Sequence, residues 1–213
     1  MRIEIAQAGK KFRQEWIFRH LNLHIETGAP CAVLGPNGSG KSTFIKILAG
    51  VWPLSQGQIT YYDSQGKVLE PENWFRQLAW AAPYLELTEE FTALELLLFH
   101  HKFKPIALSP KQFFEKTQLF SARHKPIKHF SSGMKQRLKL GLAFYGQAPV
   151  LLFDEPTVNL DQATQAWYLE EMSALLPKRL VVIGSNQQQE YAFCQQQLYI
   201  PDFKSPGGAV GKQ

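Results

Sequence analysis

The chain has 213 residues, of which 45% are hydrophobic and 19% are charged, and its formal net charge is +5 at pH 7. This composition is typical of a folded globular protein and excludes an intrinsically disordered chain. The sequence also contains no apolar run of the roughly 18–20 residues that a transmembrane helix needs. Because the basic residues are scattered, the net charge alone does not identify a nucleic-acid or membrane partner.

The first part of the chain predicts short β-strands. Residues 2–5 and 21–25 alternate between apolar and polar side chains, and a polar turn is expected at 10–16. Residues 30–34 form an apolar run of the length of one buried strand. The alternating start predicts a strand rather than a signal peptide, so we expect a cytoplasmic protein.

The next segment carries the strongest motif in the sequence. Residues 35–43 read GPNGSGKST, and they follow the apolar strand and precede a helical pattern; they are Gly35, Pro36, Asn37, Gly38, Ser39, Gly40, Lys41, Ser42 and Thr43. A strand, a Gly-rich turn and a helix form a phosphate-binding loop, whose backbone N–H groups face phosphate oxygens. We expect Lys41 to reach the β- and γ-phosphates, Ser42 to bind Mg²⁺ and Thr43 to reach the α-phosphate. The alternative is a surface turn with a solvated lysine.

The middle of the chain predicts a helical insertion. Residues 84–130 contain leucine-rich helical patterns, and Ser109 followed by proline is a helix start. From about residue 131, helices and strands alternate, with buried strands at 150–153 and 180–183. Residues 201–213 contain little to bury and predict a flexible tail. The pattern indicates an α/β protein.

Two carboxylates end the apolar run at 150–153. In phosphate-loop NTPases, an Asp at such a strand end holds Mg²⁺, which is the role expected for Asp154. Glu155, one residue further, could orient or deprotonate the attacking water. The alternative is that they are ordinary acidic residues at a strand end.

A second phosphate-contacting helix end is predicted at residues 130–137, which read FSSGMKQR. Ser131 or Ser132 can cap the helix, and Gly133 allows a phosphate to approach its N–H groups. Because the first loop already surrounds the phosphates, this helix end would serve the nucleotide of a partner subunit. The simpler alternative is a capped helix with a basic exposed face.

These segments resemble the ATP-binding cassette (ABC) ATPase family over residues 3–200. Residues 35–43 are similar to its Walker A motif and 150–155 to its Walker B motif. Residues 130–137 are similar to the family signature, usually LSGGQ and here FSSGM. Residues 158–161, VNLD, are similar to its D-loop.

The resemblance implies a P-loop NTPase of the ABC ATPase type, with an antiparallel β-subdomain and a helical subdomain. Residues 1–200 would form this single domain, with the helical subdomain inserted at about 84–145. Phe12 stands where the family places an aromatic residue that stacks on adenine, and Trp16 is the alternative. Asp161 would join the signature residues that act on the partner's nucleotide.

Two positions depart from the family pattern. Pro83 stands where the family usually has a Gln that contacts Mg²⁺ and the attacking water. Asn186 stands where the family has a His that contacts the γ-phosphate, and Glu190 supports that register. An Asn can donate a hydrogen bond to phosphate, but it cannot carry a proton or a charge at neutral pH.

The resemblance therefore implies a Mg-ATP-binding ATPase that pairs head to tail with a second ABC ATPase subunit. Glu155, Lys41 and Asn186 would be the catalytic residues. A separate integral membrane permease would hold the chain at the inner face of the membrane, and the signature favours an exporter over an importer. One alternative is a low-turnover, ATP-gated dimerisation switch. Another is a soluble ABC ATPase that acts on nucleic acid or protein assemblies, although we expect no specific nucleic-acid partner.

Two further residue types have simpler interpretations. Cys31 and Cys194 lie in apolar or strand-like surroundings and are expected to be reduced core residues. The six histidines have no metal-ligand spacing tied to cysteine, so no further metal site is expected.

Overall fold

A computed structural model describes residues 1–204 of the chain. Within this range there are eight strands: β1 (Arg2–Phe12), β2 (Glu15–Glu26), β3 (Cys31–Leu34), β4 (Gln56–Tyr62), β5 (Leu78–Ala81), β6 (Val150–Asp154), β7 (Leu180–Gly184) and β8 (Gln196–Tyr199). The same range contains seven α-helices: α1 (Lys41–Leu48), α2 (Pro71–Gln77), α3 (Ala93–Phe103), α4 (Pro110–Lys116), α5 (Ser132–Tyr145), α6 (Gln162–Leu175) and α7 (Gln188–Tyr191).

The first strands form an antiparallel sheet in the order β2-β1-β4. Phe12 pairs with Glu15 across a two-residue turn, so the prediction of a polar turn over residues 10–16 is wrong. The register between β1 and β2 shifts near Ala8 and Lys10. Pairing with the partner strand resumes after each shift and satisfies the backbone there, so polar residues extend the hairpin beyond the alternating segments.

The remaining strands form a parallel sheet in the order β5-β6-β7-β3-β8. Its two faces bury different partners, as adjacent residues of β3 show. Cys31 and Val33 join a core that includes α1 and the antiparallel sheet. Ala32 joins a second core that includes side chains of α3, α4, α5 and α6. The predicted α/β fold with an antiparallel β-subdomain is thus confirmed.

Two helices of the segment between β5 and β6 start with capping boxes. Thr92 and Glu95 form a capping box at the start of α3, and Ser109 and Gln112 form another at the start of α4, where Pro110 is the first helical residue. These reciprocal hydrogen bonds satisfy backbone donors that a helix start leaves free. None of the helices within residues 1–204 is long and apolar enough to cross a membrane.

The end of the described chain packs on the β-subdomain. Ile200–Phe203 form a 3₁₀ helix, Ile200 is fully buried, and the Lys204 ammonium pairs with Glu15 at 3.0 Å. Residues 201–204 of the predicted flexible tail therefore have defined contacts. The rest of that prediction, 205–213, lies outside the described residues.

Strand order places three loops side by side. In the sheet, β7 lies between β6 and β3, and the three strands are parallel. Their carboxyl ends therefore meet at one edge, which is where open α/β sheets bind ligands. The segments at these carboxyl ends are 35–43, 154–155 and 185–186.

Candidate functional site

The phosphate-binding loop lies between β3 and α1 and forms a cleft of about 200 Å³. The cleft is lined by Ile17, Asn37, Gly38, Gly40, Lys41, Ser42, Thr43 and Glu155. Gly40 directly precedes α1 with φ of 112°. A Cβ at Gly40 would lie 2.2 Å from Cγ2 of Ile17, so only glycine fits here.

Lys41 is almost fully buried and donates to the loop that precedes it. Its Nζ lies 2.8 Å from the carbonyl oxygen of Gly35 and 3.3 Å from that of Pro36. Burial lowers the pKa of the ammonium group, while Glu155 and Asp154 act in the opposite direction. The ammonium thus lies at the base of the cleft, where an anionic ligand would replace the carbonyl oxygens.

Asp154 ends β6 and is 1% exposed. Its Oδ2 accepts a hydrogen bond of 2.8 Å from the Tyr84 hydroxyl, and its buried Oδ1 has no partner among the described residues. An unpartnered buried carboxylate oxygen needs a cation or water. The Ser42 side chain interacts with the same Tyr84 phenol, so its hydroxyl lies near this carboxylate. The two oxygens fit Mg²⁺, which prefers oxygen ligands and keeps several waters.

Glu155 lines the cleft beside the loop. Its backbone has a positive φ of 45°, and its N–H donates to the carbonyl of Gly184 at 2.8 Å. This bond to β7 holds the strained backbone and turns the chain after β6. A carboxylate at this point can act on a water molecule in the cleft.

Asn186 follows β7 and contacts the phosphate-binding loop. Its Nδ2 donates to Oδ1 of Asn37 at 2.7 Å. Nearby, the buried Glu190 accepts the Thr157 N–H at 2.7 Å and also bonds the hydroxyls of Thr157 and Ser185. Glu190 therefore connects the segment after Glu155 with the segment before Asn186.

Tyr84 is a site residue that the sequence did not indicate. The sequence indicates Pro83 as the position that lacks the family's Gln, and nothing in the local sequence shows that the next side chain reaches Asp154. Burial, followed by the charge of Asp154, raises the pKa of the Tyr84 phenol well above its ordinary value, against the opposing effect of Ser42 and Trp80. The phenol therefore stays protonated and is a hydrogen-bond donor.

The predicted signature residues lie outside the set that lines the cleft. Ser131 caps α5 by accepting the N–H of Met134 at 3.2 Å, and a Cβ at Gly133 would lie 2.9 Å from the Asn159 carbonyl oxygen. Asp161 caps α6 by accepting the Thr164 N–H at 2.8 Å. Ser131, Ser132 and Asp161 are exposed. The signature and D-loop segments thus contact each other and face solvent.

The two candidate adenine-stacking residues have different surroundings. Phe12 is exposed and packs edge-on against Trp52, with ring centroids 5.2 Å apart. Trp52 is in turn contacted by Lys46 of α1, at 4.6 Å from the ring centroid. Trp16 instead lies under the cations of the hairpin, with the Arg19 guanidinium at 4.7 Å. Both residues belong to the hairpin, but only Phe12 is linked through Trp52 to the phosphate-loop helix.

Comparison with known proteins identifies the family. The ABC transporter family model matches residues 18–158 of the chain. The chain belongs to the ABC transporter family. The predicted resemblance is confirmed, and the phosphate-binding loop, signature and Walker B segments lie within the matched range.

Two curated relatives and one solved structure are similar to this chain. The cytochrome c biogenesis ATP-binding export protein CcmA of Brucella abortus is 32% identical over 81% of this chain and 79% of its own length. The zinc import ATP-binding protein ZnuC of Psychrobacter arcticus is 28% identical over 80% and 68%. A dimeric ATP-binding cassette bound to ADP and Pi superposes with a TM-score of 0.79 at 21% identity, covering 92% of this chain and 93% of the other. That likeness shows the fold.

Proposed function

We propose that this chain is the ATP-binding and ATP-hydrolysing subunit of an ABC transporter and drives transport through a separate membrane permease. The observation that carries the proposal is the convergence of Lys41, Ser42, Asp154, Glu155 and Asn186 at one edge of the parallel sheet. Membership of the family supports ATP as the nucleotide.

In this proposal the backbone N–H groups of residues 38–43 and the start of α1 bind the phosphates. Lys41 exchanges the carbonyls of Gly35 and Pro36 for phosphate oxygens and stabilises the charge of the transition state. Ser42 and Asp154 hold Mg²⁺, which supplies charge neutralisation at the phosphates when it is bound. Phe12 stacks on adenine.

Glu155 orients or deprotonates the attacking water. Asn186 takes the position of the usual His and donates a hydrogen bond to the γ-phosphate through the amide that now bonds Asn37. Because an amide cannot accept a proton at neutral pH, the whole proton-accepting role falls on Glu155.

The nucleotide site is proposed to be completed by a second ABC ATPase subunit in a head-to-tail dimer. Ser131, Ser132, Gly133 and Asp161 of one subunit would contact the nucleotide bound to the other. Their location outside the cleft of their own subunit and the exposure of Ser131, Ser132 and Asp161 support this arrangement. ATP would favour the closed dimer, and hydrolysis would allow it to open.

The permease is proposed to contact the helical subdomain. Three apolar side chains of α3 are exposed, namely Leu98 at 49%, Phe99 at 47% and Phe103 at 69%. Exposed apolar patches of this kind are typical of protein interfaces. The partner would hold the chain at the inner face of the membrane. We propose that the transporter exports its substrate, which the CcmA relative supports. ATP-driven uptake of substrate into right-side-out membrane vesicles would show import and contradict this proposal.

A second candidate function is a low-turnover, ATP-gated dimerisation switch. The Asn at position 186 favours it, because an amide side chain does not titrate near neutral pH as the usual His would. In this case dimerisation rather than turnover would act on the partner.

Steady-state ATPase assays of wild type, Lys41→Ala and Glu155→Gln, together with light scattering, test both candidates. We expect Lys41→Ala to weaken ATP binding by about 10- to 100-fold, since it removes charge-assisted hydrogen bonds. We expect Glu155→Gln to stop turnover and accumulate an ATP-bound dimer. ATP-dependent dimers without turnover in wild type would favour the switch, and an absence of ATP binding by wild type would refute both.

A further inference from the structure

The two oxygens of the Asp154 carboxylate have different environments. Oδ2 accepts the hydroxyl of Tyr84 at 2.8 Å, whereas Oδ1 is buried without a partner among residues 1–204. One hydrogen bond therefore fixes the rotation of the carboxylate and leaves the other oxygen available. Tyr84 is 70 residues away in sequence, so this bond joins the segment after β5 to the end of β6.

The tyrosine ring is contacted by a cation and by an aromatic side chain. The Lys46 ammonium of α1 lies 4.4 Å from the ring centroid, and the Trp80 ring packs edge-on at 5.9 Å. The backbone before it is held by Lys139 of α5, whose Nζ donates to the carbonyls of Ala82 at 3.1 Å and Pro83 at 2.8 Å. Its hydroxyl therefore has a defined position, although Tyr84 is 41% exposed.

We propose that Tyr84 is a positioning residue that orients Asp154 for divalent-metal binding. The inference rests on the proposed function, because it concerns the metal of the same nucleotide site. A hydrogen bond to a metal-binding carboxylate fixes its geometry, and loss of such a partner typically weakens metal affinity by about 10- to 100-fold. Lys139 supports the arrangement by anchoring the backbone on the helix that begins with the signature.

The test is Tyr84→Phe, which removes the hydroxyl and keeps the ring that packs on Lys46 and Trp80. Affinity for a fluorescent ATP analogue is measured in EDTA and then against Mg²⁺ concentration, and Mn²⁺ binding is followed by electron paramagnetic resonance. We expect the affinity for the ATP analogue in EDTA to be unchanged. We expect the metal concentration at which half of the metal-dependent change in that affinity is reached to rise about 10- to 100-fold.

Tyr145→Phe is the matched control. Its hydroxyl also donates to a carboxylate at 2.8 Å, that of Glu171, but this pair joins α5 and α6 away from the cleft. We expect Tyr145→Phe to leave the metal requirement unchanged. A general loss of structure would instead lower nucleotide affinity in EDTA as well.

The inference is overturned if Tyr84→Phe binds metal and nucleotide as wild type does, and the proposed function would survive that result. If wild type itself binds no ATP, the proposed function fails instead. Lys139→Gln provides a second measurement if Tyr84→Phe does not fold. It should raise the metal requirement without changing affinity in EDTA, and an unchanged requirement would contradict the inference.

Discussion

Replacing Gly40 by alanine should destabilise the chain more than the same change at Gly38. Both glycines have positive φ, 112° at Gly40 and 79° at Gly38, so alanine is strained at either position. That strain costs about 1–3 kcal/mol. Only at Gly40 would the new methyl group approach another side chain, at 2.2 Å from Cγ2 of Ile17, whereas at Gly38 nothing lies within 4 Å.

The overlap at Gly40 adds about 1–3 kcal/mol, the usual cost of overpacking. Because Ile17 is β-branched and belongs to β2, its methyl group cannot rotate away freely. Urea unfolding without nucleotide measures the difference between the two variants, and the melting temperatures should differ by about 2–4 °C per kcal/mol. Equal free energies of unfolding for Gly40→Ala and Gly38→Ala would refute the steric argument.

Two further predictions concern buried groups. Glu190→Leu leaves three donors without their acceptor and should lower the free energy of unfolding by about 2–4 kcal/mol. Glu190→Gln, which keeps an acceptor oxygen, should lower it less. Equal losses of the two variants in urea unfolding would contradict the hydrogen-bond explanation. Burial, reinforced by the charge of Cys194, raises the pKa of the Cys31 thiol to about 12, and burial raises that of Cys194 to about 12. Neither thiol should therefore react with a disulfide reagent at pH 8 before unfolding, and the stability contributed by the neutral thiols should be lost as pH rises from about 9 towards 12. The free energy of unfolding of Cys31→Ala should fall less steeply over this pH range. Rapid labelling of the native chain at pH 8 would show that the thiols are accessible and would contradict the prediction.

Predictions from sequence succeeded where the information is local. The strand, turn and helix around residues 35–43 occupy consecutive positions, and the capping residues Ser109 and Ser131 lie within three residues of the N–H groups they bind. The predicted strands at 2–5 and 21–25 are too short. Pairing of β1 with β2 and β4 decides how far each strand runs. The roles assigned to the site residues remain predictions that the ATPase and binding assays test.

The sequence by itself determined the phosphate-binding loop, the acidic strand end and the α/β class, because each depends on short-range spacing and hydrophobic pattern. Only the tertiary structure decided that β7 lies between β6 and β3, which brings Asn186 to Asn37 across 149 residues. It alone also decided that Tyr84, beside a proline without a useful side chain, bonds Asp154. Such contacts depend on strand order and packing, which no local pattern encodes.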